Sequence, residues 1–209
     1  MALATDVFGE PVTENVVMGI PEYANRARQI RADVARRWKE RDDKYEKALG
    51  YVKALKSQWG TGVSTLCLVY NATGEPLTFV TSHDWFGHIY QTYPRVIANG
   101  QWGGFLHVKT AGAASGSEAA VVYRGKNKDG RATDWLLAWD NPWRRIDLDN
   151  QAYAEIHAAG YFERVDWGAI AKCLEGATSQ HYAAWEGCIA YVKTESDTSP
   201  LYEAVLSLE

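Results

Sequence analysis

The sequence predicts a mainly β protein with helices: an antiparallel β-sandwich over residues 61–209, preceded by a helical segment over residues 1–60 that docks on it. Three observations predict this. Apolar residues recur at intervals of three to four as far as Gly60 and at intervals of two beyond it, the periods of an amphipathic helix and of a half-buried strand. The runs beyond Gly60 are short and separated by Gly-rich turn signals, as in sandwiches and barrels. A chain of 209 residues, 46% hydrophobic and 23% charged, is ordinary for one β-rich domain with an appendage and buries a core without staples.

The helical segment is "PEYANRARQIRADVARRWKERDDKYEKALGYVKALKSQWG", residues 21–60. Pro and Glu suit a first helical turn, and Gly60 suits the end. Tyr23, Ala27, Ile30, Val34 and Trp38 form one apolar stripe, which resumes after "KERDDK" with Tyr45, Leu49, Val52, Leu55 and Trp59. The pattern predicts one long helix or a helical hairpin, with Gly50 a place for a bend. Residues 21–60 carry 11 Lys/Arg against 6 Asp/Glu, whereas 61–209 carry 11 against 17. A docked helix explains the stripe, and a basic amphipathic helix that meets anionic lipid is the alternative. The interspersed acids and the acidic remainder argue against nucleic acid as a partner.

Beyond Gly60, "VSTLCLVYN" (63–71) and "PLTFVTSHDW" (76–85) read as strands, and "ATGE" between them as a hairpin turn on Gly74. "GHIYQTYPRVIANGQWGGFLHVKT", "SEAAVVYRG" and "RATDWLLAWDNP" follow, divided by "AGAASG" and "KNKDG". In "DWLLAWDNPWRR", residues 134–145, the turn signals leave too little chain for a helix and Pro142 drives Asn141 out of the α region. The reading is a strand with Trp135, Leu137 and Trp139 on one face and Leu136 and Ala138 on the other. Trp143 falls beyond Pro142, in a loop. Past Asn150 a helix from an Asp166 N-cap to about Leu174, closed by Gly176, is followed by strands "GCIAYVKT" and "LYEAVLSLE" around "ESDTSP".

Several function classes drop out. No apolar run reaches the roughly 20 residues of a membrane span, and the first residues lack a basic and a long apolar region, so a soluble, cytoplasmic chain is expected. Cys67, Cys173 and Cys188 are too few and too odd in number for a disulfide framework and are expected to be buried thiols. In that compartment the sequon at Asn71 carries no glycan. His83, His88 and His107 would need to converge with a carboxylate such as Asp84 to hold a metal, and their spacing matches no ligand pattern, so neither metal nor cofactor is expected. No nucleophile elbow, Walker loop or dinucleotide fingerprint is present, and "GQWGG" precedes neither Lys-Ser/Thr nor a helix. Only a pair of carboxylates set by spatial separation stays open as catalytic machinery, and the expectation is no enzyme.

The blocks "YNATG", "NGQWG", "VVYRG" and "LLAWDNPW" carry a resemblance over roughly residues 60–209 to the plant jasmonate-induced proteins of the 23-kDa class. That resemblance implies a stress- and hormone-responsive plant protein without an assigned reaction. The order of the turn "N-x-T-G", the "YP…IANG" and "VVYRG" strands and the strand ending in "NPW" is similar, more distantly, to actinoporin-like and fungal fruit-body lectin sandwiches. This implies a headgroup site after the Pro-aromatic pair, here Pro142 and Trp143, with Asp140 before it and Tyr153 downstream. "WRRIDLDNQAYAEIH" departs from that pattern, lacking the tyrosine cluster that cages a quaternary ammonium. Arg144 and Arg145 instead suit a phosphate or carboxylate, and exposed indole suits a pyranose face. The sequence thus points to a noncatalytic module for a carbohydrate or phospholipid headgroup. A membrane-active pore former and an interaction or storage-like stress protein with no small ligand are the alternatives; oligomeric state is not encoded legibly.

Overall fold

The helical period of the first segment is realised in the computed structural model, which describes residues 5–18, 28–144 and 149–209, as α1 (Glu14–Met18), α2 (Arg28–Arg37) and α3 (Lys44–Trp59). Of the two expected forms, one long helix or a helical hairpin, the segment takes the divided one: it breaks before α3, where Asp42 and Asp43 take left-handed backbone with φ of 59° and 55°, a conformation that short polar side chains tolerate. Gly50 lies inside continuous helix instead of at a bend, with open space over its Cα. Tyr23 and Ala27 of the expected stripe lie outside the described residues. Ile30, Val34, Ala35, Ala48, Val52 and Leu55 are buried against Leu66, Leu68, Tyr70, Trp102 and Leu106. The segment is also pinned by polar contacts. The Tyr70 hydroxyl donates to the Ala35 carbonyl at 2.5 Å and the Trp102 indole N–H to the Lys39 carbonyl at 2.9 Å. Lys44 is buried and donates to the Gly100 carbonyl at 2.9 Å; burial lowers its pKa to about 8.

Among the described residues the strands form two sheets. One runs in the order β1 (Val7–Phe8), β6 (Trp102–Val108), β2 (Ser64–Ala72), β12 (Leu201–Leu208), β11 (Cys188–Thr194), β10 (Gln180–Trp185), with β4 (His88–Tyr90) also on β6. The other runs β5 (Val96–Ile97), β3 (Leu77–Phe86), β7 (Ser117–Lys126), β8 (Ala132–Asn141), β9 (Gln151–Ala158). The sandwich is therefore as expected, with one departure from the antiparallel rule: β12 pairs with β2 in parallel, from Leu201 opposite Leu66 to Ser207 opposite Ala72. Such a pair needs a long crossover, and here the whole second sheet intervenes. The second departure is local. "ATGE" is no hairpin, because β2 and β3 belong to different sheets.

The turn carries the chain across. The Asn71 amide donates to the Glu75 and Ile97 carbonyls at 2.8 and 2.7 Å, and its oxygen accepts from the Thr73 N–H and hydroxyl. Gly74 has φ +79°, a conformation favouring glycine, and a Cβ there would lie 2.3 Å from the Arg28 carbonyl. Its N–H donates to the Asn99 side-chain oxygen, while the Asn99 amide donates to the Val12 and Arg31 carbonyls. Asn71 is fully buried, which leaves no room for a glycan on the sequon.

β8 alternates as predicted. Trp135, Leu137 and Trp139 face the space between the sheets with Phe105, Tyr123 and Tyr202, and Leu136 and Ala138 face outward. That outer face is not solvated, because α4 (Trp167–Glu175) covers it with Ile170 and Leu174. The Asp166 carboxylate caps α4 by accepting from the Gly168 N–H at 2.9 Å, and Gly176 closes it. Of the three thiols, Cys67 and Cys188 are buried as expected; Cys173 is exposed, because α4 turns it away from its apolar stripe.

Val52 is wholly buried beneath α3. Val52→Asp places an unpaired carboxylate there and lowers stability by several kcal/mol, on the order of 3–5. Chemical denaturation checks this, and an unchanged midpoint would contradict the packing of α3.

Candidate functional site

The loop after β8 is held before it is presented. Asn141 is buried and donates to the carbonyls of Ser64 and Thr198 at 3.0 and 3.1 Å. Gly116 packs so closely that a Cβ would stand 2.4 Å from the Asn141 carbonyl oxygen. Beyond that anchor Pro142 is half-buried, Trp143 is 47% exposed and Arg144 is exposed. Arg145 lies outside the described residues. The Lys109 ammonium sits 4.9 Å from the centroid of the Trp143 ring, within cation–π range.

This contact extends into a surface group. A Cβ on Gly62 would meet the Trp59 ring at 2.9 Å and the Lys109 side chain at 3.2 Å, so these two flank the same glycine. Lys56 lies 4.5 Å from the Trp59 ring centroid and donates to the Gly62 carbonyl. Phe86, 54% exposed, ends β3 beside Gly87, which packs against the Val108 carbonyl. One end of the sandwich therefore carries two lysine–indole pairs, an exposed phenyl ring and Arg144. Three acids near this end are engaged locally: Asp197 accepts from the Thr198 N–H, Glu195 from the Leu201 N–H and Asp149 from the Ser196 hydroxyl; Glu118 is in register with Phe86 and with Asp140.

Asp140 and Tyr153 lie elsewhere, on the outer face of the second sheet. Tyr153 stands opposite Ala138, packs on His181 at 4.7 Å and donates to the Glu155 carboxylate. Asp140 stands opposite Glu118. Burial, then the charge of Glu175, pushes the Asp140 carboxyl up to about 6. Burial, then Asp140 and Glu175, pushes Glu118 up to about 7. The five residues singled out from the sequence thus divide: Pro142, Trp143 and Arg144 share the presented loop, whereas Asp140 and Tyr153 sit under α4. Lys56, Trp59 as a surface residue, and Lys109 escaped sequence reasoning, because their proximity depends on the fold.

The histidines do not form a metal centre. His83 stacks on Trp167 at 4.7 Å, and no cluster of metal-ligating side chains occurs among the described residues. His107 joins a buried chain instead: its Nδ1 lies 2.9 Å from the Ser117 hydroxyl and its Nε2 3.2 Å from Asp84, while Ser117 also meets the Thr65 hydroxyl at 2.8 Å. Burial holds the imidazole below its usual range, so the neutral ring donates through Nε2 to Asp84 and accepts from Ser117. The residue types are those of a nucleophile, base and orienter. Ser117 and His107 are fully buried, however, and the chain ties the two sheets together.

Two cavities lie apart from the presented loop. One, about 490 Å³, is lined by Tyr161, Arg164, Asp166, Ile170 and Cys173 among others. The second, about 640 Å³, opens between β1, β3, β4 and β5, with Phe79, Ile89, Tyr93 and Val96 as apolar walls and Asp6 and Arg95 as its charged groups.

The folded chain holds the Glu118 and Asp140 protons more tightly than an unfolded chain does, so this pair favours folding in acid. Its contribution is complete below the ordinary carboxylate range and is lost as pH rises through about 6 and about 7. Glu118→Gln therefore stabilises at neutral pH, by on the order of 1 kcal/mol after solvent screening, and has no effect near pH 4. Denaturation midpoints at both pH values check this; destabilisation at neutral pH would contradict it.

Residues 8–209 match the family model described as Nakanori-like protein. The 23 kDa jasmonate-induced protein of Hordeum vulgare is 42% identical over 172 residues, covering 80% of each chain. A jasmonate-induced protein homolog of Atriplex canescens is 32% identical over 136 residues, covering 64% of this chain and 70% of that one. Among solved structures, the crystal structure of the lipid binding protein Nakanori superposes with a TM-score of 0.86 at 28% identity, covering 96% of this chain and 99% of that chain.

Proposed function

Because this chain belongs to the Nakanori-like family and to the jasmonate-induced class of plant proteins, we propose that it is a noncatalytic lipid-headgroup-binding β-sandwich whose Trp143 end meets the lipid surface. The solved structure it resembles is described as a lipid binding protein, which supports the ligand class. The observation that carries the location is the Trp143 ring, half exposed with Lys109 at 4.9 Å, next to Arg144 and across Gly62 from Lys56 and Trp59.

Indole rings place an apolar body and one N–H at a lipid–water boundary, and long basic side chains lay their stems on apolar surface while the charge reaches phosphate. Each Lys or Arg near an anionic leaflet adds about 1 kcal/mol. This end combines both on anchored backbone. The clustered cations Lys56, Lys109 and Arg144 suit this end to an anionic headgroup phosphate better than to a neutral sugar. Surface contact also suits it better than insertion: α2 and α3 commit their apolar stripes to the core, and no helix of the described residues is long and apolar enough to cross a membrane.

Trp143→Ala leaves the melting temperature near that of the parent and weakens co-sedimentation with anionic phospholipid vesicles about tenfold. Lys109→Glu weakens it further and flattens its salt dependence. Undiminished sedimentation of both variants would sink the placement of the site.

A further inference from the structure

The second cavity belongs to no part of the lipid-contacting end. Phe79 and Tyr93 stack at 5.4 Å with planes 18° apart, Tyr93 meets Phe105 edge-on, and the Arg95 guanidinium lies 6.0 Å from the Phe79 ring. Arg95 is exposed and its backbone is fixed, its carbonyl accepting from the Phe79 N–H at 3.0 Å. Asp6 lines the same cleft, and its carbonyl accepts from the Gly104 N–H, which fixes the backbone that carries the Asp6 carboxylate. Neither charge takes part in an ion pair among the described residues, whereas the arginines at 31, 36, 124 and 131 all do.

We propose that this cleft binds a small zwitterion bearing a primary ammonium and an anionic group. The ammonium is held by the Asp6 carboxylate and the anion by the Arg95 guanidinium, with an apolar body against Phe79, Ile89, Tyr93 and Val96. Two charges of opposite sign that line one apolar cleft without an ion-pair partner are complementary to that distribution, and guanidinium is suited to two-pronged recognition of carboxylate or phosphate. A quaternary ammonium fits poorly. It needs several open ring faces, whereas Phe79 and Tyr93 cover each other and Arg95 lies over Phe79; it also has no N–H to give Asp6. Burial raises the Asp6 carboxyl above its usual range, the desolvation that an incoming ammonium offsets. A volume of about 640 Å³ is within the roughly 300–1,000 Å³ of small-ligand sites. A free amino acid with an apolar side chain and an ethanolamine-type headgroup share this chemistry.

The test is titration calorimetry with phenylalanine and with O-phosphoethanolamine, each beside its N-trimethylated counterpart, phenylalanine betaine or phosphocholine. At least one primary-ammonium ligand saturates the protein, and which one identifies the source; its trimethylated form binds about tenfold more weakly. Arg95→Gln, on an exposed side chain, lowers affinity about tenfold without moving the melting temperature, and Asp6→Asn does the same. Trp143→Ala binds the zwitterion as the parent does, so loss of vesicle binding and loss of cleft binding separate. Failure of both ligands to bind, equal binding of the trimethylated forms, undiminished affinity of Arg95→Gln, or loss of zwitterion binding in Trp143→Ala would each overturn the proposal.

Discussion

The structure depends on two buried amides. Asn71 and Asn99 together satisfy the turn that moves the chain from one sheet to the other, and through Gly74 and the Val12 and Arg31 carbonyls they tie that turn to the segment between β1 and α1 and to α2. Buried polar groups are costly when unpaired, at roughly 1–3 kcal/mol each, so replacing either side chain would remove the bonds that hold this turn. The blocks "YNATG" and "NGQWG", which are among those that carry the family resemblance, are therefore architectural: they fix where one sheet ends and the other begins. The side chains that would meet a ligand lie outside them.

With the crossing fixed, the tryptophans take two fates. Trp135 and Trp139 fill the space between the sheets and Trp102 lies beneath α3, all wholly buried. Trp59 and Trp143 end at the rim, each under a lysine. Asn141 marks the change: it closes β8 by bonding to Ser64 and Thr198, and Pro142, Trp143 and Arg144 follow outside the strand. The buried His107–Ser117–Thr65 chain braces the same end from within, so the surface aromatics sit on rigid backbone, which lowers the cost of ordering them on binding.

Much of this was legible because it is local. The alternation of Trp135 to Trp139, the Asp166 cap, the end of α3 at Gly60 and the exposure of Trp143 beyond Pro142 all follow from neighbours in sequence. What failed was non-local. A Gly-containing four-residue linker looks the same whether it joins hairpin strands or hands the chain to another sheet, and the parallel pairing of β12 with β2 has no sequence sign. β9 and β10 were missed because "QAYAEIHA" and "QHYAAW" offer alanine where a strand usually shows branched residues. The distant resemblance groups Asp140 and Tyr153 with Trp143, whereas the register turns both to the outer face of the second sheet. Asp6, just before the edge strand of the first sheet, and Arg95, just before the edge strand of the second, line one cleft, a relation no spacing rule contains.

The chemistry visible in the chain is thus the chemistry of holding and presenting: an enclosed polar chain, a carboxylate cluster beneath a helix, and a rim of indoles and lysines, which we propose meets lipid. That rim is tested most directly by fluorescence quenching with vesicles whose acyl chains are brominated near the headgroup. Bound protein should lose part of its tryptophan emission, and the lost part should shrink when Trp143 is replaced by phenylalanine, since the core indoles stay out of reach. Quenching of the same size in Trp143→Phe, or none in protein that sediments with the vesicles, would contradict contact through this end.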